Sequence, residues 1–241
     1  MQAAAPGPRL AAVSRAKESA GRAAADHVRD GMTVGLGTGS TVHFTLERLA
    51  ERIRTERLAL RGVPTSLATE REARALAIPL VTLEEVTVID LTIDGADEVD
   101  GRFDMIKGGG GALLREKVVA SLTRRELIVV DRSKVVERLG RAFPLPVEVV
   151  PFARPVVARR IAALGAECAV RTRNGEAVLT DNGNHVLDCR FRDGIVEART
   201  LERQLDEIPG VVESGLFIGL AHALVIGDEK GSVELRERPA H

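Results

Sequence analysis

The chain has 241 residues and is 44% hydrophobic, which suffices for one large domain or two unequal ones with a genuine core. Lys and Arg number 34 against 35 Asp and Glu, a net charge of −1 without local segregation, which argues against an electrostatic nucleic-acid binder or a membrane-surface protein. Aromatic residues are 2% of the chain, all of them Phe, so base-stacking and sugar-stacking platforms are out of reach and the core must be aliphatic.

Met1–Ala12 carries Pro and Gly where a signal peptide needs an apolar run, and it reads as a loose extension of a soluble protein. The Ala-rich stretch Ser14–Val28 predicts a helix, closed by Asp30-Gly31. Thr33–Gly37 predicts a short buried strand that runs into Thr38-Gly39-Ser40-Thr41. Val42, Leu46, Leu49 and Ile53 then recur at helical spacing, so a helix starts near Ser40 or Thr41 and ends about Arg57. A strand at Leu58–Val63, a helix at Thr69–Ala77 and a strand at Leu80–Leu83 repeat the alternation. Val86–Ile93 predicts the next strand, Ala112–Leu122 a helix and Leu127–Val130 a further strand. Strand alternating with helix implies an α/β fold: a Rossmann-like, mostly parallel sheet with helices on both faces.

Past Phe143-Pro144-Leu145-Pro146 the texture changes, and a boundary is expected near Ala142. Strands at Val147–Val150, Cys168–Thr172, Ala177–Leu179 and His185–Cys189, with helices at Arg154–Leu164 and Leu201–Ile208, make a smaller α+β unit of ferredoxin-like outline. Leu224–Ile226 and Val233–Leu235 are expected to return to the first domain as edge strands. The two cysteines, Cys168 and Cys189, are too few for a disulfide framework or a cysteine zinc site and fit a reduced, cytoplasmic setting.

Three polar loops fall at carboxyl ends of predicted strands, where open α/β sheets place their ligands. Gly35-Leu36-Gly37-Thr38-Gly39-Ser40-Thr41 joins strand to helix and suits an anion such as phosphate; the bland alternative is a tight turn with Ser40 as N-cap. It lacks both the Gly-Lys-Ser/Thr ending of a Walker loop and the third Gly of the dinucleotide fingerprint. Asp94, Asp97, Glu98 and Asp100 put four carboxylates in seven residues, open to readings as a divalent-cation site, a ligand loop or a solvated turn. Lys107 precedes four glycines, Gly108 to Gly111, whose chain-entropy cost a ligand held by backbone amides and the ammonium would offset. Glu116 falls on the apolar stripe of the following helix near its N-terminus, suited either to a working base or to a structural ion pair. The five histidines have no ligand-like spacing.

The glycine-threonine loop at 35–41, Asp94-Gly95-Ala96-Asp97-Glu98, Lys107 through Ala112 with Arg115-Glu116-Lys117, and Phe143-Pro144-Leu145-Pro146-Val147-Glu148-Val149 together resemble the ribose-5-phosphate isomerase A family. Thr180-Asp181-Asn182-Gly183-Asn184 and Ile208-Pro209-Gly210-Val211-Val212 extend the likeness from about Lys17 to Gly227. The resemblance implies reversible isomerisation of D-ribose 5-phosphate and D-ribulose 5-phosphate in the non-oxidative pentose phosphate pathway, through a cis-enediolate, without metal or organic cofactor. It implies Glu116 as base, the acidic loop at Asp94 and Asp97 with Asp94 serving ring opening and proton exchange at the sugar hydroxyls, and Lys107 with the amides of Gly108, Gly109 and Gly110 stabilising the oxyanion. Thr38, Gly39, Ser40, Thr41, Gly95, Ala96, Lys134 and Lys17 would bind the sugar and its phosphate. The expected organisation is a flexible extension over 1–13, outside the likeness, a catalytic domain over 14–141 plus 215–241, and a lid and oligomerisation domain over 142–214; the resemblance also implies a homodimer or homotetramer. No role attaches to Pro64–Thr69. Rival readings are a non-catalytic sugar-phosphate-binding effector domain and acyl-CoA transfer from a Glu nucleophile.

Overall fold

A computed structural model describes residues 8–239. The chain runs through α1 (Pro8–Ala25), β1 (Met32–Leu36), α2 (Val42–Glu56), β2 (Leu60–Pro64), α3 (Leu67–Ala75) and β3 (Leu91–Gly95). Two short strands, β4 (Glu98–Val99) and β5 (Met105–Ile106), lead to α4 (Leu113–Ser121) and β6 (Glu126–Asp131). Then come β7 (Leu145–Val149), α5 (Arg154–Ala163), β8 (Ala166–Val170), β9 (Thr172–Arg173), β10 (Glu176–Ala177), β11 (His185–Phe191), α6 (Ala198–Asp206) and β12 (Val211–Ser214). The chain closes with β13 (Leu216–Phe217), β14 (Ala223–Gly227) and β15 (Val233–Glu237).

Six strands form one sheet in the order β15-β14-β6-β3-β1-β2, parallel throughout except for the antiparallel β15 at the edge. On one face Val34, Leu36, Ile93, Leu127, Val129 and Val225 pack against Ala20, Ala24, Leu46 and Leu49 of α1 and α2. On the other, Ile128, Val130, Leu224 and Ile226 pack against Leu113, Met105 and Phe217. Every residue of β6 and β14 is buried, which is why Leu127–Val130 and Ala223–Ile226 within them read as unbroken apolar runs rather than as alternating patterns. The same burial corrects the expectation for Leu224–Ile226: β14 is an interior strand between β6 and β15, and only β15 lies at the edge.

Two further strand readings are corrected. Leu80–Leu83 forms no strand; Leu80 makes a single bridge to Gly62, and Leu83–Glu85 is a 3₁₀ turn whose start is held by a capping box between Thr82 and Glu85. Strand β3 begins only at Leu91; Ile89 makes one isolated parallel bridge to Thr123, and the side chains of Val86 and Ile89 join a small cluster with Val63 and Val119. Helix α1 starts at Pro8, ahead of the predicted Ser14; residues 1–7 of the expected extension lie outside the described residues.

Residues 145–214 form a separate four-stranded antiparallel sheet in the order β12-β7-β11-β8, with α5 and α6 between strands in the split βαβ pattern. Its core includes Val147, Val157, Ile161, Leu187 and Leu205, and reaches Ile106 and Leu216 of a small sheet, β13-β5-β4, that the sequence pattern did not reveal. Cys168 and Cys189 are free thiols directly opposite one another on β8 and β11. Among the described residues no helix is long and apolar enough to cross a membrane.

The chain goes from β1 outward to β2 and then returns to lay β3 on the other side of β1. A crevice therefore opens between the carboxyl ends of β1 and β3, the switch point where doubly wound sheets bind ligands. Helix α1 crosses the sheet closely at Gly227: a Cβ there would stand 1.9 Å from the Ala16 carbonyl oxygen. Gly227→Ala is therefore expected to push α1 off β14 and to destabilise the fold by about 1–3 kcal/mol, read as a lower urea midpoint at unchanged slope.

Candidate active site

The segment after β1 turns back under β3. Gly37 has no room for a side chain, since a Cβ would lie 2.3 Å from Asp94 Oδ1. This close approach lets the Thr38 N–H donate to Asp94 Oδ1 at 3.0 Å and ties the two strand ends together. Thr41, not Ser40, is the N-cap of α2, and its side chain makes no capping bond. The His43 and Phe44 N–H groups of the first turn are taken up by the Gly39 and Thr41 carbonyls, and the positive end of the helix dipole remains beside the crevice, where it attracts an anion. The Ser40 hydroxyl instead accepts from Lys17 Nζ of α1 at 2.9 Å.

Lys107 follows β5 directly and is only 1% exposed. Its Nζ donates to the Gly95 carbonyl at 2.5 Å and lies 3.0 Å from Asp94 Oδ2 and 3.5 Å from Glu116 Oε1, 5.3 Å above the ring of Phe217. Burial by itself disfavours the ammonium, but the surrounding carboxylates Asp94, Glu116 and Glu126 outweigh it and hold the Lys107 pKa above its ordinary value. Glu116, in the first turn of α4, is 5% exposed. Burial pushes its carboxyl up to about 8 against the opposing pull of Lys107, with Asp94 and Asp97 adding to the rise. Its Oε2 has no hydrogen-bond partner. A carboxyl so placed is close to neutral pH in its proton affinity and has one oxygen free to act, as a general base requires.

The four clustered carboxylates do not act together. Asp94 Oδ1 accepts from Thr38 and Gly95 N–H groups, and its other oxygen faces Lys107. Asp97 Oδ2 accepts from the Gly109 N–H at 2.7 Å. Glu98 accepts from the N–H groups of Gly140, Ala142 and Phe143, and Asp100 from those of Arg102 and Asp104. Asp94, Glu98 and Asp100 are buried, so the loop is not a solvated turn. The glycine run is explained in the same way. Gly108 and Gly111 adopt φ of 104° and 81°, and a Cβ on Gly109 would meet Asp97 Oδ1 at 2.6 Å.

A single cleft is lined by Lys17, Thr38 to Thr41, Gly95 to Asp97, Lys107 to Gly110, Glu116 and Lys134. The side chains singled out from the sequence thus converge on one place, with one exception of position. Asp94 is 1% exposed and stands behind Lys107 rather than on the cleft wall. Lys134, in a 3₁₀ turn after β6, reaches over the Phe143 ring at 6.0 Å.

Two contributions escape sequence reasoning. The segment Pro64–Thr69, left without a role, supplies hydroxyls that surround Thr38: its Oγ1 lies 2.8 Å from Thr65 Oγ1, 2.8 Å from Ser66 Oγ and 3.1 Å from Thr69 Oγ1. Ser66 also caps α3 through the Thr69 N–H, a signal legible in the Ser66-x-x-Thr69 spacing. Glu126 is 1% exposed with neither carboxylate oxygen partnered, and burial pushes its carboxyl up to about 8. Nothing in its sequence context distinguishes it from a solvent-facing residue at a strand start.

Comparison with known proteins accords with this geometry. The family model of ribose 5-phosphate isomerase A (phosphoriboisomerase A) matches residues 61–231. The chain is 54% identical over 218 residues to ribose-5-phosphate isomerase A of Gloeobacter violaceus, covering 89% of this chain and 93% of that one. The solved ribose 5-phosphate isomerase A of Methanocaldococcus jannaschii superposes with a TM-score of 0.87 at 40% identity, over 92% of this chain and 97% of that one. A D-ribose-5-phosphate isomerase solved in complex with phospho-erythronic acid superposes with a TM-score of 0.88 at 35% identity, over 92% and 97% of the two chains. With the family model spanning most of its length and relatives matching almost all of it, the chain belongs to the ribose 5-phosphate isomerase A family.

Proposed function

We propose that the chain interconverts D-ribose 5-phosphate and D-ribulose 5-phosphate. The observation that carries this reading is the Glu116 carboxyl, buried beside the cleft with Oε2 unpartnered and Oε1 3.5 Å from a buried ammonium. In the forward direction Glu116 takes the C2 proton of the open-chain aldose, leaving a cis-enediolate with its charge on O1. The same carboxyl returns the proton to C1, while the C2 hydroxyl passes its proton to O1, so that C2 becomes the ketone and O1 the hydroxyl of the new C1 alcohol. One carboxylate can serve both carbons only if they lie on the same side of the base, and an anchored phosphate provides that alignment.

The Lys107 ammonium and free glycine amides of the 108–110 loop meet the charge that develops on oxygen, in a site dry enough to make such donors effective. Asp94 acts from behind: it aligns Lys107 and holds Thr38, and Asp97 holds the glycine loop through Gly109. The first turn of α2, Ser40, Thr41, Lys17 and Lys134 bind the phosphate. The ligand of a solved relative, phospho-erythronic acid, supports a phosphorylated sugar acid or sugar as the class of molecule that fits. An effector domain that merely senses its ligand has no use for a dry carboxyl with a raised pKa in the cleft. The unit at 142–214 is proposed to cover the cleft and to carry self-association as a homodimer or homotetramer. Support for the latter is the exposed apolar group Val150, Phe152 and Val156, of which Phe152 is 93% exposed.

Glu116→Gln removes the base but keeps the shape, so kcat should fall by about 10²–10⁴ with the fold intact; near-normal turnover in a coupled assay would take Glu116 out of the mechanism. The base works ionised, and its pKa is raised to about 8, so kcat/KM should climb as pH rises from 6 and level off above about 8. Lys107 stays charged over that range because its pKa is raised as well. A profile flat from pH 6 to 9 would contradict this assignment. Each carboxylate of the acidic loop is already committed to its own amide or ammonium partner, so EDTA should leave turnover unchanged; activity lost to chelation and restored by Mg²⁺ would reverse that expectation.

A further inference from the structure

Arg171 lies just past the end of β8, in the four-stranded unit, yet its guanidinium reaches the glycine loop of the cleft. Nη1 donates to the Gly108 carbonyl at 2.8 Å and to the Gly109 carbonyl at 3.0 Å. The other edge of the same guanidinium is held by Asp188 of β11, Nε at 3.0 Å from Oδ2 and Nη2 at 2.5 Å from Oδ1. The base of the side chain is fixed too, since the Arg171 N–H donates to the Val186 carbonyl and its own carbonyl accepts from Val178. The guanidinium is therefore a rigid, charged plate with one corner aimed at two consecutive peptide carbonyls.

A trans peptide unit points its N–H opposite to its C=O, and the described residues contain no cis bonds. Drawing the Gly108 carbonyl to Arg171 sends the Gly109 N–H the other way, onto Asp97 Oδ2 at 2.7 Å. Drawing the Gly109 carbonyl to Arg171 likewise sends the Gly110 N–H away from Arg171. Gly110 lines the cleft, and its N–H has no protein acceptor among the described residues. The charge on Arg171 also polarises both peptide units, which makes their N–H groups stronger donors. The Gly108 carbonyl also accepts from the Gly111 N–H at 3.0 Å, but the Gly109 carbonyl has no second partner among the described residues, and there the pair Arg171–Asp188 supplies the order that glycine lacks.

We propose that Arg171, braced by Asp188, is a positioning residue for the isomerisation: it aims the Gly110 amide at the oxyanion of the enediolate. The inference rests on the isomerase reading above. It separates transition-state stabilisation from ground-state binding, because the amide is needed most when charge appears on the sugar oxygen, whereas the phosphate is assigned to other groups, Ser40, Thr41, Lys17 and Lys134. A lysine cannot replace the clamp, since a single ammonium cannot keep two bonds to Asp188 while serving both carbonyls.

The test is steady-state isomerisation of ribose 5-phosphate by the wild-type chain, Arg171→Met, Arg171→Lys and Asp188→Asn, with urea unfolding of each. Arg171→Met should lower kcat by about 10²-fold, the cost of losing one oxyanion donor, with KM within about two-fold of wild type. Arg171→Lys should fall nearly as far and Asp188→Asn about ten-fold, and added guanidinium ion should restore part of the kcat of Arg171→Met. A folded Arg171→Met with kcat within about two-fold of wild type overturns the proposal, as does a rise in KM at unchanged kcat. Loss of folding in all three variants makes the contact structural and overturns it as well. A wild-type chain inactive on ribose 5-phosphate sinks the isomerase reading instead, so the two failures are told apart.

Discussion

A buried ammonium organises this site. Lys107 sits almost without solvent between Asp94, Glu116 and the Gly95 carbonyl, and an unpaired charge there would cost several kcal/mol or more. The carboxylates offset that cost, and each is placed by a different part of the chain: Asp94 by β3, Glu116 by α4, the lysine itself by the short strand β5. The requirement to keep one cation neutralised in a dry place thus draws three elements to one point. The same arrangement leaves a carboxyl of raised proton affinity next to a permanent positive charge, which is the pairing an enediolate needs.

The sheet topology makes that point accessible. The crevice between β1 and β3 exists because the chain reverses its direction of winding there, and the loops after β1, β3 and β6 all open onto it. Small residues bring the backbones close enough to cooperate. Gly37 lets the loop after β1 rest on Asp94, and Gly109 lets the glycine run rest on Asp97. Around them a second layer does the holding: the hydroxyls of Thr65, Ser66 and Thr69 around Thr38, three backbone amides around Glu98, and the Arg171–Asp188 pair behind Gly108 and Gly109. Side chains that touch the cleft are placed by side chains that do not.

The four-stranded unit is joined to this machinery by polar contacts as well as by its core. Asp181 accepts from the Leu67 N–H at the start of α3, and Arg115 beside Glu116 donates to Asn182. Within the unit, Glu148 is fully buried and gathers Thr180, Asn182 and Asn184 on one oxygen. The turn at 180–184 is thereby shaped from inside one unit and presented to the other, which gives the Thr-Asp-Asn-Gly-Asn segment a physical reason for its composition.

Local chemistry made much of this legible from residues alone. The period of Val42, Leu46, Leu49 and Ile53 marks α2, the apolar runs mark β6 and β14, and glycines beside Lys107 or between Leu36 and Thr38 mark places where backbone must come close to something. Glu116 stands out because a carboxylate on an apolar stripe demands an explanation. What the sequence could not disclose is which distant groups meet. The strand reading of Leu80–Leu83 failed because the segment pairs with Gly62 at Leu80 alone before the 3₁₀ turn at Leu83–Glu85 takes the chain away, and how far a ladder extends is a property of the assembled sheet. The acidic loop looked like one cluster because its carboxylates are neighbours in the chain, whereas in space each turns to a different amide or ammonium. Glu126 and Arg171 gave no local sign at all, since burial and hydrogen bonding across about 60 residues of chain depend on tertiary packing. Periodicity and residue type record what a segment prefers; only the folded chain decides which charges are shut away from water and what must neutralise them.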